Sequence, residues 1–339
     1  MPRAQPVCCH GPMTDVLILG GTGWLSGRIA RRWVDAGASV TCLARGGRPA
    51  PEGATLVEGD RDDDSVYDAP AAGAWDEVVD ISSRPEHVRA AVAALAGRAR
   101  HWTYVSSLSV YAANDVAGED ESAELAEPAD PADEEYDYSR AKSACEASVR
   151  AALGDRTAIV RPGLIVGPGD PTDRFGYWVS RFALAADGPV LVPDAPEAFA
   201  QVIDVDDLAA FVHRVGSERW TGTANAIDDP MPLPDTIAAA RRSAGHTGDL
   251  VAADPQRLLD LDVSHWMGPR SLPLWLPSDM PGFATRRNDV YRATGGTFRA
   301  LDDTLARTLD HERARGLDRE RSAGLARDEE LALIDDLSA

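Results

Sequence analysis

The chain predicts a doubly wound parallel α/β sheet followed by a smaller, more irregular unit. Three observations carry that expectation. Short apolar runs recur from residue 15 onward, helix-length segments stand between them, and the first run feeds a glycine-rich turn that opens a helix. Strands that alternate with helices, rather than pairing as hairpins, make a parallel sheet covered on both faces.

The elements follow in order. Residues 15–20, Asp-Val-Leu-Ile-Leu-Gly, form an apolar run ending in glycine and read as a buried parallel strand. Gly20-Gly-Thr-Gly-Trp-Leu-Ser-Gly27 comes next, with a helical stretch over 28–36. Glycines at such a junction let the backbone turn tightly and approach a pyrophosphate, while the helix start offers free N–H groups to it. A plain strand–helix turn is the alternative. Further strands are expected at 39–44, 54–57, 77–81 and 101–106, with a helix at 86–97.

The ends of these strands suggest a ligand. A fold that prefers NAD places an acid at the end of the second strand, to hold the ribose 2′-hydroxyl. Here Ala44 and Arg45 occupy that end. An arginine can instead meet a 2′-phosphate in a charge-assisted contact, with Arg28 as a helper, so NADP(H) is expected over NAD(H). A solvated loop charge is the plainer reading of Arg45. Asp60 is a candidate acceptor for the adenine amino group and Arg61 a candidate to lie on the ring; a polar turn explains both equally well.

The chain has one lysine among its 34 Lys+Arg residues, and it stands four positions after Tyr138, in Tyr-Ser-Arg-Ala-Lys142. Residues four apart share a helix face. A neighbouring ammonium favours the phenolate and makes a tyrosine usable as an acid/base near neutrality. An exposed helical Tyr–Lys pair is the bland alternative.

Composition narrows the field. With 55 Asp+Glu and a net charge of −21, nonspecific binding to nucleic acid or anionic membranes is not expected. At 339 residues and 44% hydrophobic, the chain can bury a sizeable core. Cys8, Cys9, Cys42 and Cys145 show no metal-ligand spacing and no disulfide framework. There is no apolar segment of signal-peptide or membrane-spanning length, so a cytoplasmic location is expected. His87, His213, His246 and His265 form no metal constellation and read as structural, so no metal site is expected.

Taken together, these segments resemble the extended or atypical short-chain dehydrogenase/reductase superfamily, in its NAD(P)-dependent epimerase/dehydratase-like branch. The matching pieces are Gly20-Gly-Thr-Gly-Trp-Leu25, Gly59-Asp-Arg61, Val105-Ser-Ser-Leu-Ser-Val-Tyr111, Tyr138-Ser-Arg-Ala-Lys142, Arg161-Pro-Gly-Leu-Ile-Val-Gly-Pro-Gly169 and Val202-Ile-Asp-Val-Asp-Asp-Leu208. The resemblance implies a dinucleotide-binding (Rossmann) sheet and makes Tyr138 the catalytic acid/base. Lys142 would hold the nicotinamide ribose and lower the tyrosine pKa, and Ser107 would hydrogen-bond the substrate oxygen. It further implies cofactor contacts from Gly20, Thr22, Gly23, Trp24, Leu25, Arg45, Asp60, Arg61, Ser82, Ser106 and Pro162, besides Tyr138 and Lys142. Superfamily members are often dimers through the catalytic helix, so a homodimer is among the implied states. Two departures stand out: Ser26 occupies the place of the family's third glycine, and Asp80-Ile-Ser-Ser-Arg84 replaces small apolar residues near the cofactor.

The domain reading places a disordered extension at 1–12 and a dinucleotide-binding domain at 13–165, to which 200–228 returns. Residues 166–199 and 229–339 form the substrate domain. In that half, Phe175, Tyr177, Trp178, Trp266 and Trp275 are candidates for an apolar pocket or for ordinary core. Arg174 and Arg181 are candidates to hold an anionic substrate or exposed helix charges. The acidic segment 113–135 is a candidate cover for the site, or a solvated mobile loop.

The leading functional reading is an NADP(H)-dependent oxidoreductase acting on a carbonyl or alcohol of a small metabolite. The alternatives are a nucleotide-sugar epimerase that retains NAD, and a non-catalytic NAD(P)-binding protein. A sugar dehydratase fits poorly, because Leu108 and Ser109 stand where such enzymes carry an Asp-Glu pair.

Overall fold

A strand buried on both faces is mostly apolar, and β1 (Asp15–Leu19), buried from Val16 onward, shows why the first run reads as it does. Val16 and Ile18 point into the core on one face, Leu17 and Leu19 into the core on the other. Each fully buried aliphatic side chain contributes about 2 kcal/mol. The computed structural model describes residues 14–133 and 135–338. The expected extension at 1–12 lies outside them.

Around β1 stand β2 (Ser39–Ala44), β3 (Thr55–Glu58), β4 (Glu77–Asp80), β5 (Trp102–Val105) and β6 (Thr157–Pro162). The chain then passes through β7 (Leu164–Val166), β8 (Val190–Pro193), β9 (Phe199–Ala200) and β10 (Val202–Asp204) to β11 (Gly222–Ala226), which rejoins the main sheet. The seven-stranded order is β11-β6-β5-β4-β1-β2-β3, all parallel. The order reverses between β1 and β4, and ligands of such sheets bind in the crevice beyond the carboxyl ends of the strands at that point.

Helices α1 (Trp24–Asp35), α2 (Asp68–Ala71), α3 (Pro85–Leu95), α4 (Tyr138–Leu153), α5 (Arg174–Ala185), α6 (Val205–Ser217) and α7 (Leu233–Ala244) accompany the strands. α1 packs with α6 on one face, α3 with α4 on the other. The helix expected at 28–36 begins earlier, at Trp24, because Gly23 serves as its N-cap inside the glycine-rich segment.

A second core lies outside the sheet. β12 (Met231–Pro232), β13 (Leu250–Ala253), α8 (Pro255–Asp260), β14 (Ser264–Trp266), β15 (Ser271–Pro273), α9 (Asp289–Ala293), α10 (Leu301–Arg315) and α11 (Arg327–Ser338) follow α7. β13 pairs with β8, and α5, α7 and α10 pack together. Phe175, Tyr177, Trp178 and Trp275 are buried in this cluster, so four of the five candidate pocket aromatics are core residues. Trp178 also donates its indole N–H to Pro273 O at 2.8 Å.

The acidic segment is pinned at a few points, although most of its described residues are exposed. Buried Arg286 donates to Glu119 Oε2 at 2.7 Å and Asn114 Oδ1 at 3.0 Å. Glu121 Oε1 accepts Asn225 N at 2.7 Å, and Leu125 bridges to Tyr111.

Candidate functional site

Two adjoining cavities open at the carboxyl ends of the central strands. One, of about 760 Å³, is lined by the turn from Gly20 to Ser26, by Arg45–Arg48, by Gly59–Arg61 and by Ser82. The other, of about 560 Å³, is lined by Ser106, Ser107, Tyr138, Lys142, Pro162, Arg174, Trp266, Met267 and Phe283 among others. Trp24, Leu25 and Ile81 line both, so the two spaces adjoin at those residues.

The glycine-rich turn is held by close approach. Gly20 has φ +86°, in the left-handed region that favours glycine. A Cβ on Gly21 would come 2.5 Å from Cys42 Sγ, so β2 requires glycine there. Ser26, in place of a third glycine, ties the turn: its hydroxyl donates to Gly20 O at 2.5 Å and accepts Gly23 N at 2.9 Å. Gly23 carries no side-chain cap for α1, so an uncapped helix start faces the first cavity together with Thr22. Uncapped amides beside a glycine turn fit a pyrophosphate.

The arginines near this cavity differ in what they hold. Arg45 and Arg48 are exposed, line the cavity and have no ion partner among the described residues. A carboxylate that the sequence reading passed over, Glu58 at the end of β3, lies 3.2–3.4 Å from where a Gly46 Cβ would stand. Arg28, expected to help with a phosphate, is engaged by Asp206 Oδ1 at 2.9 Å and Pro168 O at 2.8 Å. Arg61, expected across an adenine ring, forms a bidentate pair with Asp80 at 2.8 Å on each arm and donates to Tyr67 Oη at 2.7 Å. It forms part of the wall with its charge already neutralised. Asp60 is exposed on the same wall. Ser82 Oγ accepts Arg84 N at 3.1 Å, and Ser83 lines the second cavity.

α4 starts at Tyr138 because Asp137 caps it, accepting Arg140 N at 2.9 Å. One turn later Lys142 is 2% exposed. Its ammonium donates to Val105 O at 2.8 Å, Ser82 O at 3.1 Å and Ile81 O at 3.2 Å. These carbonyls lie at and just beyond the ends of β5 and β4, and the same nitrogen stands 4.9 Å over the Tyr104 ring. Burial lowers the Lys142 pKa from 10.5 to about 8, against the pull of nearby Cys145, Asp80 and Glu146.

Tyr138 keeps 43% of its surface exposed. Crowding around its phenol nonetheless raises the pKa above 10, offset in part by the Ser107 hydroxyl and by the Arg174 guanidinium. The expectation that Lys142 lowers the tyrosine pKa is therefore corrected. In this arrangement the cation acting on the phenol is Arg174, while Lys142 turns to main-chain oxygens. Ser107 is extended and caps the short turn Leu108–Val110, accepting Ser109 N at 3.1 Å.

Arg174 and Arg181, both on α5, part company. Arg181 is buried against Glu330 and Leu325 O, a structural role. Arg174 lines the second cavity beside Trp266, with its guanidinium carbon 4.9 Å from that ring. Met267, Phe283 and Thr172 were missed in the sequence; they come from loops with no periodic signal. Among the described residues, no group of three His, Cys, Asp or Glu is placed to hold a metal, and no helix is long and apolar enough to cross a membrane.

Residues 86–226 match the model of the NAD dependent epimerase/dehydratase family. No curated protein matches the chain. Among solved structures, a candidate epimerase from Burkholderia cenocepacia J2315 is 24% identical, with 89% of this chain and 99% of that one covered and a TM-score of 0.69. The Bordetella bronchiseptica enzyme WbmG, in complex with NAD, is 13% identical, with 94% and 99% covered and a TM-score of 0.67. The UDP-glucose 4-epimerase of Thermotoga maritima, with UDP-glucose, is 12% identical, with 89% and 99% covered and a TM-score of 0.66. At these identities the neighbours speak for the fold, and the family match supports an NAD(P)-dependent, epimerase/dehydratase-like enzyme. The resemblance read from the sequence is thus borne out: the chain carries the fold of the extended short-chain dehydrogenases/reductases and, over residues 86–226, the signature of their NAD-dependent epimerase/dehydratase family.

Proposed function

We propose that the protein is an NADP(H)-dependent oxidoreductase that interconverts a carbonyl and an alcohol on a small metabolite. The observation that carries this reading is that Ser107, Tyr138 and Lys142 all line one cavity, which adjoins the glycine-turn cavity at Trp24, Leu25 and Ile81. The nicotinamide cofactor supplies the hydride chemistry when bound. Gly20, Thr22 and Gly23 with the start of α1 hold the pyrophosphate, and Trp24, Leu25, Ser82, Ser106 and Pro162 form walls around the dinucleotide. Ser107 donates a hydrogen bond to the substrate oxygen, and Tyr138 gives or takes the proton there. Donors positioned where negative charge builds on oxygen stabilise the transition state. Lys142 orients the ribose with its ammonium, which must exchange a carbonyl partner for a ribose hydroxyl to do so.

Replacing Tyr138 with Phe removes the proton donor but keeps the ring. Turnover is expected to fall by about 10²–10⁴-fold with NADPH affinity retained, the usual size of a general-acid contribution. Full turnover in the variant refutes the role. Arg45 and Arg48, exposed and without ion partners, support a 2′-phosphate. Arg45→Ala is expected to weaken NADPH about tenfold or more and NADH little, as loss of a charged hydrogen bond predicts. An unchanged preference, with Glu58 nearby as an acid for a 2′-hydroxyl, favours NAD instead.

The family match favours a second reading, a nucleotide-sugar epimerase that regenerates bound NAD each cycle. Cofactor stoichiometry separates the two: a reductase consumes NADPH in proportion to product, and an epimerase shows no net change.

A further inference from the structure

We propose that the second cavity takes a substrate bearing one small organic anion, a carboxylate or a phosphate monoester, and that Arg174 grips that group beside the reacting oxygen. The inference deepens the proposed function and rests on it for which oxygen reacts; the place of the anion rests on Arg174 itself.

Arginines near the cavities and in the core are mostly spoken for. Arg28 pairs with Asp206, Arg61 with Asp80, Arg161 with Glu146, Arg181 with Glu330 and Arg286 with Glu119. Arg174 is half-buried, yet no carboxylate among the described residues comes within ion-pair distance of it. Its Nε donates to Thr172 Oγ1 at 3.2 Å, which leaves the two terminal nitrogens for something else. Asp170 is the acid that acts on it, but that carboxylate accepts Thr172 N at 2.8 Å and Thr172 Oγ1 at 2.9 Å.

A partly desolvated guanidinium with no carboxylate in direct contact is costly, and a ligand anion offsets the cost through a two-armed hydrogen bond. The ring of Trp266 lies 4.9 Å from the guanidinium carbon and supports it on one side. Met267 and Phe283 add apolar wall, so the anion belongs to a compact, apolar or aromatic molecule. The site is also close to the chemistry. Tyr138 and Arg174 each shift the other's titration, which places the anion's cation within electrostatic reach of the phenol.

The test uses the full-length protein and two probes of one shape, benzoate and benzamide, with phenyl phosphate as a third arm. Binding is read by calorimetry or ligand-observed NMR, with and without NADP⁺. Wild type is expected to prefer benzoate over benzamide by about tenfold or more, the size of a charge-assisted contact. Arg174→Gln is expected to erase that preference and leave benzamide unchanged. Arg174→Lys serves where the glutamine variant fails to fold; benzoate must then weaken by about threefold or more, because an ammonium lacks the planar fork. Phenyl phosphate tighter than benzoate assigns a phosphate monoester, and the reverse assigns a carboxylate. Equal binding of benzoate and benzamide, no benzoate binding, or unchanged benzoate affinity in the Arg174 variants overturns the proposal. Turnover plays no part in this readout. A failed Tyr138→Phe test therefore removes the proposed reaction and leaves the anion site, whereas a failed benzoate test removes the anion site and leaves the reaction.

Discussion

Because the chain has one lysine, the burial of Lys142 can be measured without interference from any other. The residue is 2% exposed, with three main-chain carbonyls around its ammonium and a pKa lowered from 10.5 to about 8. Those carbonyls therefore return less than the lost hydration cost. At 1.36 kcal/mol per pKa unit the deficit is about 3 kcal/mol. Below pH 8 both the folded and unfolded chains carry the proton, and the folded state bears the full deficit. Between pH 8 and 10.5 the folded chain gives the proton up while the unfolded chain keeps it. The unfolded state then binds more protons, so this lysine makes stability rise with pH across that window.

Denaturant unfolding of wild type and Lys142→Met, from pH 7 to 10.5, isolates the effect when both carry Cys145→Ala, which removes the thiol that Lys142 shifts; the other titrations are common to both proteins and cancel. Wild type is expected to gain about 3 kcal/mol on the methionine variant between pH 7.5 and 10.5. With ¹³Cε-labelled lysine, the single side-chain signal is expected to titrate near 8. A stability difference that stays flat across the window, or a lysine that titrates at its ordinary value, refutes the desolvated ammonium. Under the proposed function, NADPH affinity also declines as pH rises through about 8, when the ribose-holding charge is lost.

Two further outcomes follow from the packing. Arg161 and Glu146 form a buried two-armed ion pair at 2.9 and 2.8 Å behind the sheet ends, and Glu146→Ala leaves the guanidinium unpaired. Denaturant unfolding is expected to show a loss of about 3–5 kcal/mol, and a loss under 1 kcal/mol contradicts the pairing. Gly21→Ala drives a methyl into Cys42 Sγ, costing about 1–3 kcal/mol in thermal or chemical unfolding. The same methyl would stand 2.7 Å from Cys42 Cβ, so Gly21→Ala is expected to cost less in a Cys42→Gly chain, which lacks both atoms, than in wild type, and an equal cost means the clash lies elsewhere.

The sheet was legible where a strand covered on both faces is mostly apolar, as in Val16–Leu19 of β1 and in β5; β4 was legible only through Val78 and Val79, between the buried Glu77 and Asp80. The start of α1 was not, since the glycines that mark the turn also hide the first helical residues; Gly23 is both the end of the turn and the helix cap. The site was legible where chemistry is local in sequence. Tyr138 and Lys142 stand one helical turn apart, and both line the second cavity. Their contacts were not legible. A spacing of four settles a shared helix face, not a shared partner, and the acceptors that turned Lys142 away are main-chain oxygens at strand ends, which any residue type supplies. Arg174 and Arg181 make the same point from the other side. They are the same residue on one helix, and what makes one a wall of the second core is Glu330, from a helix near the end of the chain. The long-range pairing leaves Arg174 as the arginine of that helix without an ion pair among the described residues, so under the proposed anion site the specificity of this cavity follows from which arginine the C-terminal helices do not reach.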